Sequence, residues 1–294
     1  MGYQILKKVK PRIIKASHIG FCFGVKRAIS AAEGVIGKGK NTCSLGPIIH
    51  NSFVVKQLSR KGLKVISDIR QGRGLHLIIR SHGIPPAIRK KAEAYCAGVL
   101  DTTCPFVSRS HSIVSCLRKE GYFIVIAGEK HHPEVQALVE TAGPNVAVVT
   151  KRHCIKKIAA KKTKIALVAQ TTISRDIFVK IARGLLACDY AECRIFNTIC
   201  NDAQRRQEEA KQLSAVSDVI CVVGGKNSAN TKHLARTCRR SGVVTHHIES
   251  ADELRPGWFD SAMSIGIVSG ASTPGSMVEE VEKRIKNNIT RRSV

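Results

Sequence analysis

The sequence predicts an α/β protein built from three small lobes with mainly parallel sheets. Three observations predict it. Strand-like apolar runs alternate with amphipathic stretches along the whole chain, a pattern that favours parallel sheets. Each strand-like run ends in a polar corner, where parallel sheets gather their ligands. Three corners carry a cysteine at the start of a helix-like stretch: Cys22, Cys104 and Cys200. Their spacing marks a repeat of about 90 residues, comparable to a small domain. It divides the chain into a first lobe, residues 22–104, a second, residues 105–196, and a third, residues 197–287. Residues 288–294 read as a loose basic tail.

Arg12–Ser17 reads as a strand leading to the corner Gly20–Val25. The helix after it, Lys26–Ile36, puts Ala28, Ile29, Ala32 and Ile36 on one face. Cys43–Leu45 is a short strand that ends at Gly46–Asn51, and a helix over Ser52–Lys61 stops at Gly62. Leu75–Ile79 ends at Arg80–Gly83, and Pro85 and Pro86 open a helix through Cys96. Val99 and Leu100 lead into Asp101–Val107. There Pro105 suits a first helical turn because its missing N–H costs nothing. The helix runs to Lys119, and its dipole is expected to favour the thiolate of Cys104.

Tyr122–Ala127 is the clearest strand, with the corner Gly128–Val135. After Val146–Thr150, Ile165–Ala169 stops at Gln170–Thr172, and Ser174 is placed to cap the next helix. Ile195 and Phe196 precede Asn197–Cys200 and a polar helix, Gln204–Leu213. Asp218–Val223 ends at Gly224–Thr231, and Ile265–Val268 ends at Gly270–Gly275. The final helix is expected over Met277–Asn287.

Composition bounds the function. A hydrophobic fraction of 43% is ordinary for a soluble globular chain, and only 4% aromatics leaves the core to aliphatic residues. No apolar run approaches the roughly 20 residues of a membrane span. Met1–Lys10 is basic without an apolar signal core, so the chain is expected in the cytoplasm. Eleven cysteines without a C-x-x-C pair exclude zinc-ribbon and thioredoxin patterns. Disulfides are not expected without a sign of export. Cys116, Cys188, Cys193, Cys221 and Cys238 read as ordinary core or surface thiols. The net charge of +26 favours anionic partners. Its clusters are short (Lys7–Lys10, Arg89–Lys91, Lys156–Lys164), and the dispersed remainder is solvated surface, which disfavours nucleic acid as a partner.

The corners suggest chemistry. Cysteines from three lobes can converge only around a central point. Zinc takes four protein ligands, or three with an open position. Iron–sulfur clusters are normally held by four cysteinates. Three would leave one iron free to act on a substrate as a Lewis acid while the cluster delivers electrons. Three helix-start cysteines without metal are the plain alternative. Gly224–Thr231 is a Gly-rich turn suited to phosphate, with spacing unlike a Walker A loop. Ser272 lies in a second small-residue turn. His50, His82 and His132 each sit at or just past a strand end and can donate to phosphate oxygens. Glu134, in a His-Pro-Glu corner, is a candidate proton donor, or else an acid facing a helix dipole. Thr171 suits proton relay or a bond to a substrate hydroxyl, or is a plain turn residue.

Taken together the motifs go further. They are Gly20–Ile29 (GFCFGVKRAI), Gly46–Asn51 (GPIIHN), Arg80–Gly83 (RSHG), Asp101–Val107 (DTTCPFV), His132–Val135 (HPEV), Gln170–Thr172 (QTT), Cys200 with Arg206 and Gln207, Gly225–Thr231 (GKNSANT) and Gly270–Pro274 (GASTP). With this set the chain resembles the 4-hydroxy-3-methylbut-2-enyl diphosphate reductase family from residue 12 to about residue 285. The resemblance implies a three-lobed fold around one 4Fe–4S cluster held by Cys22, Cys104 and Cys200. It implies that the N-terminal strand in residues 1–21 joins the third lobe. It places the substrate diphosphate among His50, His82, His132, Ser228, Ala229, Asn230 and Ser272, with Thr171 and the catalytic Glu134 near the substrate hydroxyl. Two electrons, from reduced ferredoxin or flavodoxin, and protons would remove that hydroxyl as water, giving isopentenyl and dimethylallyl diphosphates. The high positive charge would attract both the diphosphate and an acidic donor.

Ala229 departs from the second serine common in relatives, and Asn201–Gln204 from a common Ala-Thr pair. His131 is assigned to the rim. A basic nucleic-acid-binding descendant of the fold should have lost part of this residue set. A three-lobed enzyme of the quinolinate synthase kind would explain the cysteines but not HPEV or GKNSANT.

Overall fold

The alternating pattern resolves into three four-stranded sheets in which every strand pair is parallel. This computed structural model describes residues 11–150, 155, 158 and 163–290. The basic stretch Met1–Lys10, most of the Lys156–Lys164 run and residues 291–294 of the expected tail lie outside the described residues.

The chain begins with β1 (Arg12–Lys15), α1 (Phe23–Ile36), β2 (Thr42–Leu45), α2 (Ser52–Arg60) and β3 (Leu63–Ile66). Next come β4 (His76–Ile79), α3 (Pro86–Tyr95), β5 (Gly98–Asp101) and α4 (Pro105–Lys119). They are followed by β6 (Phe123–Ala127), α5 (Pro133–Ala142), β7 (Val146–Val149), β8 (Lys164–Ala169), α6 (Arg175–Leu186) and β9 (Glu192–Phe196). The remainder is α7 (Asn201–Ser214), β10 (Val219–Val223), α8 (Ala229–Arg240), β11 (Val244–Ile248), β12 (Ser264–Ser269) and α9 (Gly275–Thr290).

The sheets share one strand order. They run β3-β2-β4-β5, β7-β6-β8-β9 and β11-β10-β12-β1. In the third, β1 occupies the edge that β5 and β9 hold in the others, with Arg12 opposite Ser264 and Lys15 opposite Ile267. The predicted α/β class with small parallel sheets is therefore what the chain adopts. Packing divides it into two units: Cys22–Gln204 holds the first two sheets, and residues up to Phe21 together with those from Arg205 hold the third.

Central strands read as unbroken apolar runs because both their faces are covered. In the second sheet, Val125 and Leu167 face Phe178, Ile181 and Leu185 of α6. Ile124 and Ile126 face Val114, Leu117 and Leu138 of α4 and α5. In the third, Ile265 and Ile267 meet Val278 and Val281 of α9, while Ile220 and Val222 meet Leu213 and Leu234. Each such aliphatic side chain contributes about 1.5–3 kcal/mol on burial.

Several local expectations need correction. Strands β3 and β11 are additions to the elements expected from the sequence. Both are edge strands, and Leu-Lys-Val-Ile and Val-Thr-His-His-Ile lack the apolar run of a central strand. Ser174 is the N-cap of α6, but its side chain makes no capping bond. The last helix starts at Gly275 and runs to Thr290, so residues 288–290, assigned to the tail, form its final turn.

Candidate active site

The shared strand order repeats the corners as well as the sheets. The first central strands, β2, β6 and β10, lead to His50, to His132 with Glu134, and to Ser228 with Ala229 and Asn230. The second central strands, β4, β8 and β12, lead to His82, Thr171 and Ser272. The edge strands β5, β9 and β1 precede Cys104, Cys200 and Cys22. All of these residues follow carboxyl ends of parallel strands, where helix N-termini and free N–H groups face a ligand.

Within Cys22–Gln204 the three histidines pack on one another. Ring centroids lie 4.6 Å apart for His50 and His82, 5.4 Å for His82 and His132, and 5.8 Å for His50 and His132. Their candidate ligand atoms all fall within 4.8 Å, and among the described residues no other three His, Cys or acidic residues form so tight a group. Burial holds His82 well below the ordinary imidazole range, and repulsion from His50, His132 and Arg80 adds to it. His82 Nδ1 is buried and has no hydrogen-bond partner among the described residues. His132 caps α5, its Nδ1 accepting from the Glu134 N–H at 3.2 Å. With Nδ1 an acceptor, a neutral His132 carries its proton on Nε2. Next to His50, the Asn51 side chain caps α2 by accepting from the Val54 N–H.

Glu134 lies in the first turn of α5 with no exposed surface. Its Oε1 accepts from the Thr171 N–H at 2.7 Å and its Oε2 from the Thr171 hydroxyl at 2.8 Å. Burial raises its pKa to about 7, and the two Thr171 bonds pull the other way. Burial wins because two donors cannot replace full hydration of a carboxylate. Thr171 continues the chain, its carbonyl accepting from the Cys200 N–H at 2.8 Å. Gln170 braces the two corners, its Oε1 accepting from the Glu129 N–H and its Nε2 donating to the Thr172 hydroxyl.

Cys22 and Cys104 are the N-caps of α1 and α4, and Cys200 immediately precedes α7. The Val25 N–H donates to Cys22 Sγ at 3.5 Å. Helix-start N–H groups also serve Cys104, from Phe106 and Val107, and Cys200, from Ala203 and Asp202. The helix start does favour the Cys104 thiolate as expected, since the Phe106 and Val107 N–H groups pull its pKa down. Burial pushes the Cys104 and Cys200 thiols up despite those donors, and each also feels the charge of Glu134. The Cys104 thiol needs Gly24, since a Cβ there would lie 2.7 Å from its Sγ. Each of these half-buried, unbridged thiols at a helix start is a soft donor of the kind that suits thiophilic metals.

In the other unit the corners of the neighbouring strands β10 and β12 lie side by side. Ser228 caps α8, its Oγ accepting from the Thr231 N–H. Ser228, Ala229, Asn230 and Ser272 are all buried. Both amide atoms of Asn230 are buried without a hydrogen-bond partner among the described residues, so this corner carries bonding capacity that those residues do not use. The lysine of the same loop is committed elsewhere, Lys226 Nζ pairing with Glu253.

The comparisons with known proteins fit this arrangement. The family model described as LytB protein matches residues 13–286. The chain belongs to the LytB family. A curated LytB relative from Pelobacter propionicus, named 4-hydroxy-3-methylbut-2-enyl diphosphate reductase, is 42% identical over 279 residues, covering 93% of this chain and 97% of the relative. One of the same name from Aquifex aeolicus is 41% identical over 283 residues, covering 93% and 96%. A solved structure of (E)-4-hydroxy-3-methyl-but-2-enyl diphosphate reductase, described as the terminal enzyme of the non-mevalonate pathway, is 39% identical with a TM-score of 0.68, covering 94% of this chain and 99% of that one. The Plasmodium falciparum E-1-hydroxy-2-methyl-but-2-enyl-4-diphosphate reductase is 27% identical with a TM-score of 0.86, covering 93% and 87%. The family read from the motifs is thus borne out.

Three contributors escape a reading of the sequence. Gln170 stands in the QTT motif, which carries no sign of its bracing role. Gly24 reads as part of a corner, and only the contact with Cys104 explains why it has no side chain. Arg80 stands in the RSHG motif, and only the fold reveals that it adds its charge to the field at His82.

Proposed function

We propose that this LytB member is a 4-hydroxy-3-methylbut-2-enyl diphosphate reductase. It is an oxidoreductase that removes the allylic hydroxyl of its substrate and yields isopentenyl and dimethylallyl diphosphates. One observation carries the mechanism: a wholly buried carboxyl at about pKa 7, held by two bonds from Thr171, on a helix capped by one of three clustered histidines. Glu134 is poised to be half protonated near neutrality, the condition for giving a proton to a departing hydroxyl. Thr171 fixes the carboxyl and is placed to meet the same hydroxyl.

His50, His82 and His132 bind the diphosphate in this reading, and Ser228, Ala229, Asn230 and Ser272 are further proposed substrate-binding residues. Holding the diphosphate holds the reacting carbon. The histidine trio has the geometry to bind a divalent cation too, but the Arg80 charge acting on His82 opposes a cation and favours an anion. Cys22, Cys104 and Cys200 are the proposed ligands of one 4Fe–4S cluster. When bound, it supplies two electrons and, at the iron without a protein ligand, a Lewis acid for the hydroxyl oxygen. The division into lobes 22–104, 105–196 and 197–287, with β1 joining the third, belongs to the same reading and is supported by the common strand order.

A ferredoxin or flavodoxin is the proposed donor, in keeping with the +26 charge, and the cytoplasm the proposed compartment. No helix among the described residues is long and apolar enough to cross a membrane. Anaerobic purification should give a brown protein containing iron and sulfide. A colourless anaerobic preparation that binds RNA tightly would overturn the reading.

A further inference from the structure

We propose that the starts of α1 and α4 form the docking face for the protein that delivers electrons, a small acidic carrier with its redox centre near its surface. The inference rests on the functional reading above, for whose electron donor it names a surface. Both helices begin at a cysteine proposed as a ligand, Cys22 for α1 and Cys104 for α4. The two starts meet at Cys104. A Cβ at Gly24 would lie 2.7 Å from Cys104 Sγ, and Arg27 Nη1 donates to the Thr103 carbonyl at 2.8 Å. Gly24 and Val25 are buried, whereas Phe23 beside them is 66% exposed. Phe106, in the first turn of α4, is 37% exposed. Phe23 is thus the direct neighbour of the glycine that lies against the Cys104 thiol, and Phe106 follows that cysteine by two residues. In a chain with only 4% aromatics, two exposed rings on helix starts that meet form a patch and not a scatter.

Cations stand one turn on from each ring. Lys26 and Arg27 follow Phe23 by three and four residues, and Arg109 follows Phe106 by three, so each shares a helix face with its phenylalanine. All three are exposed. The acids of these elements are committed elsewhere. α4 contains none, and the one acid of α1, Glu33, pairs with Lys61. Asp101, just before the Cys104 corner, pairs with Arg89. The charge decides the occupant. A second copy of this chain, at +26, would bring like charge to a basic face. An acidic carrier brings the opposite charge, is steered onto the cations, and leaves readily from the small interface that electron-transfer partners use. Each encounter oxidises one carrier by one electron, and two encounters match the two electrons that one substrate molecule consumes.

The test compares iron-loaded wild type with Phe23→Ala and with the double variant Lys26→Glu, Arg109→Glu. Each is driven in turn by reduced flavodoxin and by reduced methyl viologen, a small chemical donor. The double variant should lower kcat/KM for flavodoxin about 10- to 100-fold, and Phe23→Ala about tenfold. Iron content and the rate with methyl viologen should stay within about twofold of wild type. Added salt should slow the flavodoxin-driven wild type and barely affect the double variant. If both variants keep wild-type kinetics with flavodoxin, the inference is wrong. Equal losses with both donors would also overturn it, since that marks residues of the fold. So would a wild-type dimer that these changes dissociate while the flavodoxin kinetics persist, because the face would then belong to a second copy. A wild type inactive with methyl viologen would sink the functional reading alone, and calorimetric titration of flavodoxin into wild type and double variant would still decide on the face.

Discussion

The unit Cys22–Gln204 and the unit that begins at Arg205 build their corners on the same strand order but fill them with different chemistry. The first holds groups that titrate or carry charge: Glu134 raised to about 7, His82 pushed toward neutrality, Arg80 lowered by burial and two thiols pushed up. The second buries hydroxyls and an amide, Ser228, Ser272 and Asn230, together with the Arg206 guanidinium, which donates to the carbonyls of His18, Gly20 and Ser269, and it pairs its lysine away on Glu253. The contrast teaches where desolvation is tolerated. Buried titratable groups are left short of partners in the first unit, whereas the buried guanidinium of the second is matched by backbone carbonyls.

The sharpest way to break that comparison is at the thiols. Cys104→Ser should lose bound iron and sulfide and reduce turnover below detection, measured by metal content and anaerobic assay. A brown, active variant would remove Cys104 from the account. Glu134→Gln comes next, with full cluster content and kcat lower by about 10²- to 10⁴-fold. Wild-type kcat should itself fall as pH rises through about 7, because the donor must be protonated.

The same carboxyl makes a stability prediction. Its folded pKa of about 7 exceeds the ordinary 4.5. The folded chain therefore keeps a proton that the unfolded chain has lost between those values. The stabilisation is full below about 4.5 and is lost as pH rises to 7, by an amount of order 3 kcal/mol. Denaturant midpoints at pH 5 and pH 8 should show this fall in wild type and not in Glu134→Gln. A parallel fall in both would refute the pKa assignment.

The second unit should respond differently. Asn230→Ala is expected to raise KM about tenfold with kcat kept, and to leave the melting temperature unchanged or slightly higher, since its amide has no hydrogen-bond partner among the described residues. A large loss of stability would show that the amide serves the fold. The smallest effect belongs to Ala229→Ser, which adds one hydroxyl in the first turn of α8 and should lower KM about threefold. An increase in KM would mean the buried position has no room for it.

Much of this is legible in the sequence because corners announce themselves. Gly46-Pro47, Gly224-Gly225 and Thr102–Pro105 break the apolar runs, and the reactive side chains sit at or just after each break. The edge strands β3 and β11 are not legible, since a strand covered on few sides needs no apolar run. Only one of the two influences on Cys104 is legible, for a related reason. A helix start is visible in sequence, whereas burial, which outweighs the helix start here, depends on residues far along the chain. Gly24 shows the same limit, being explained by a neighbour from another corner.

The proposed reaction is a two-electron dehydroxylation. The most direct measurement is anaerobic reduction of (E)-4-hydroxy-3-methylbut-2-enyl diphosphate by the purified, iron-loaded chain with a chemical electron donor, followed by product identification. The account predicts conversion to isopentenyl and dimethylallyl diphosphates with two electrons consumed per molecule. An iron-loaded preparation that binds the substrate and leaves it unreduced would contradict it.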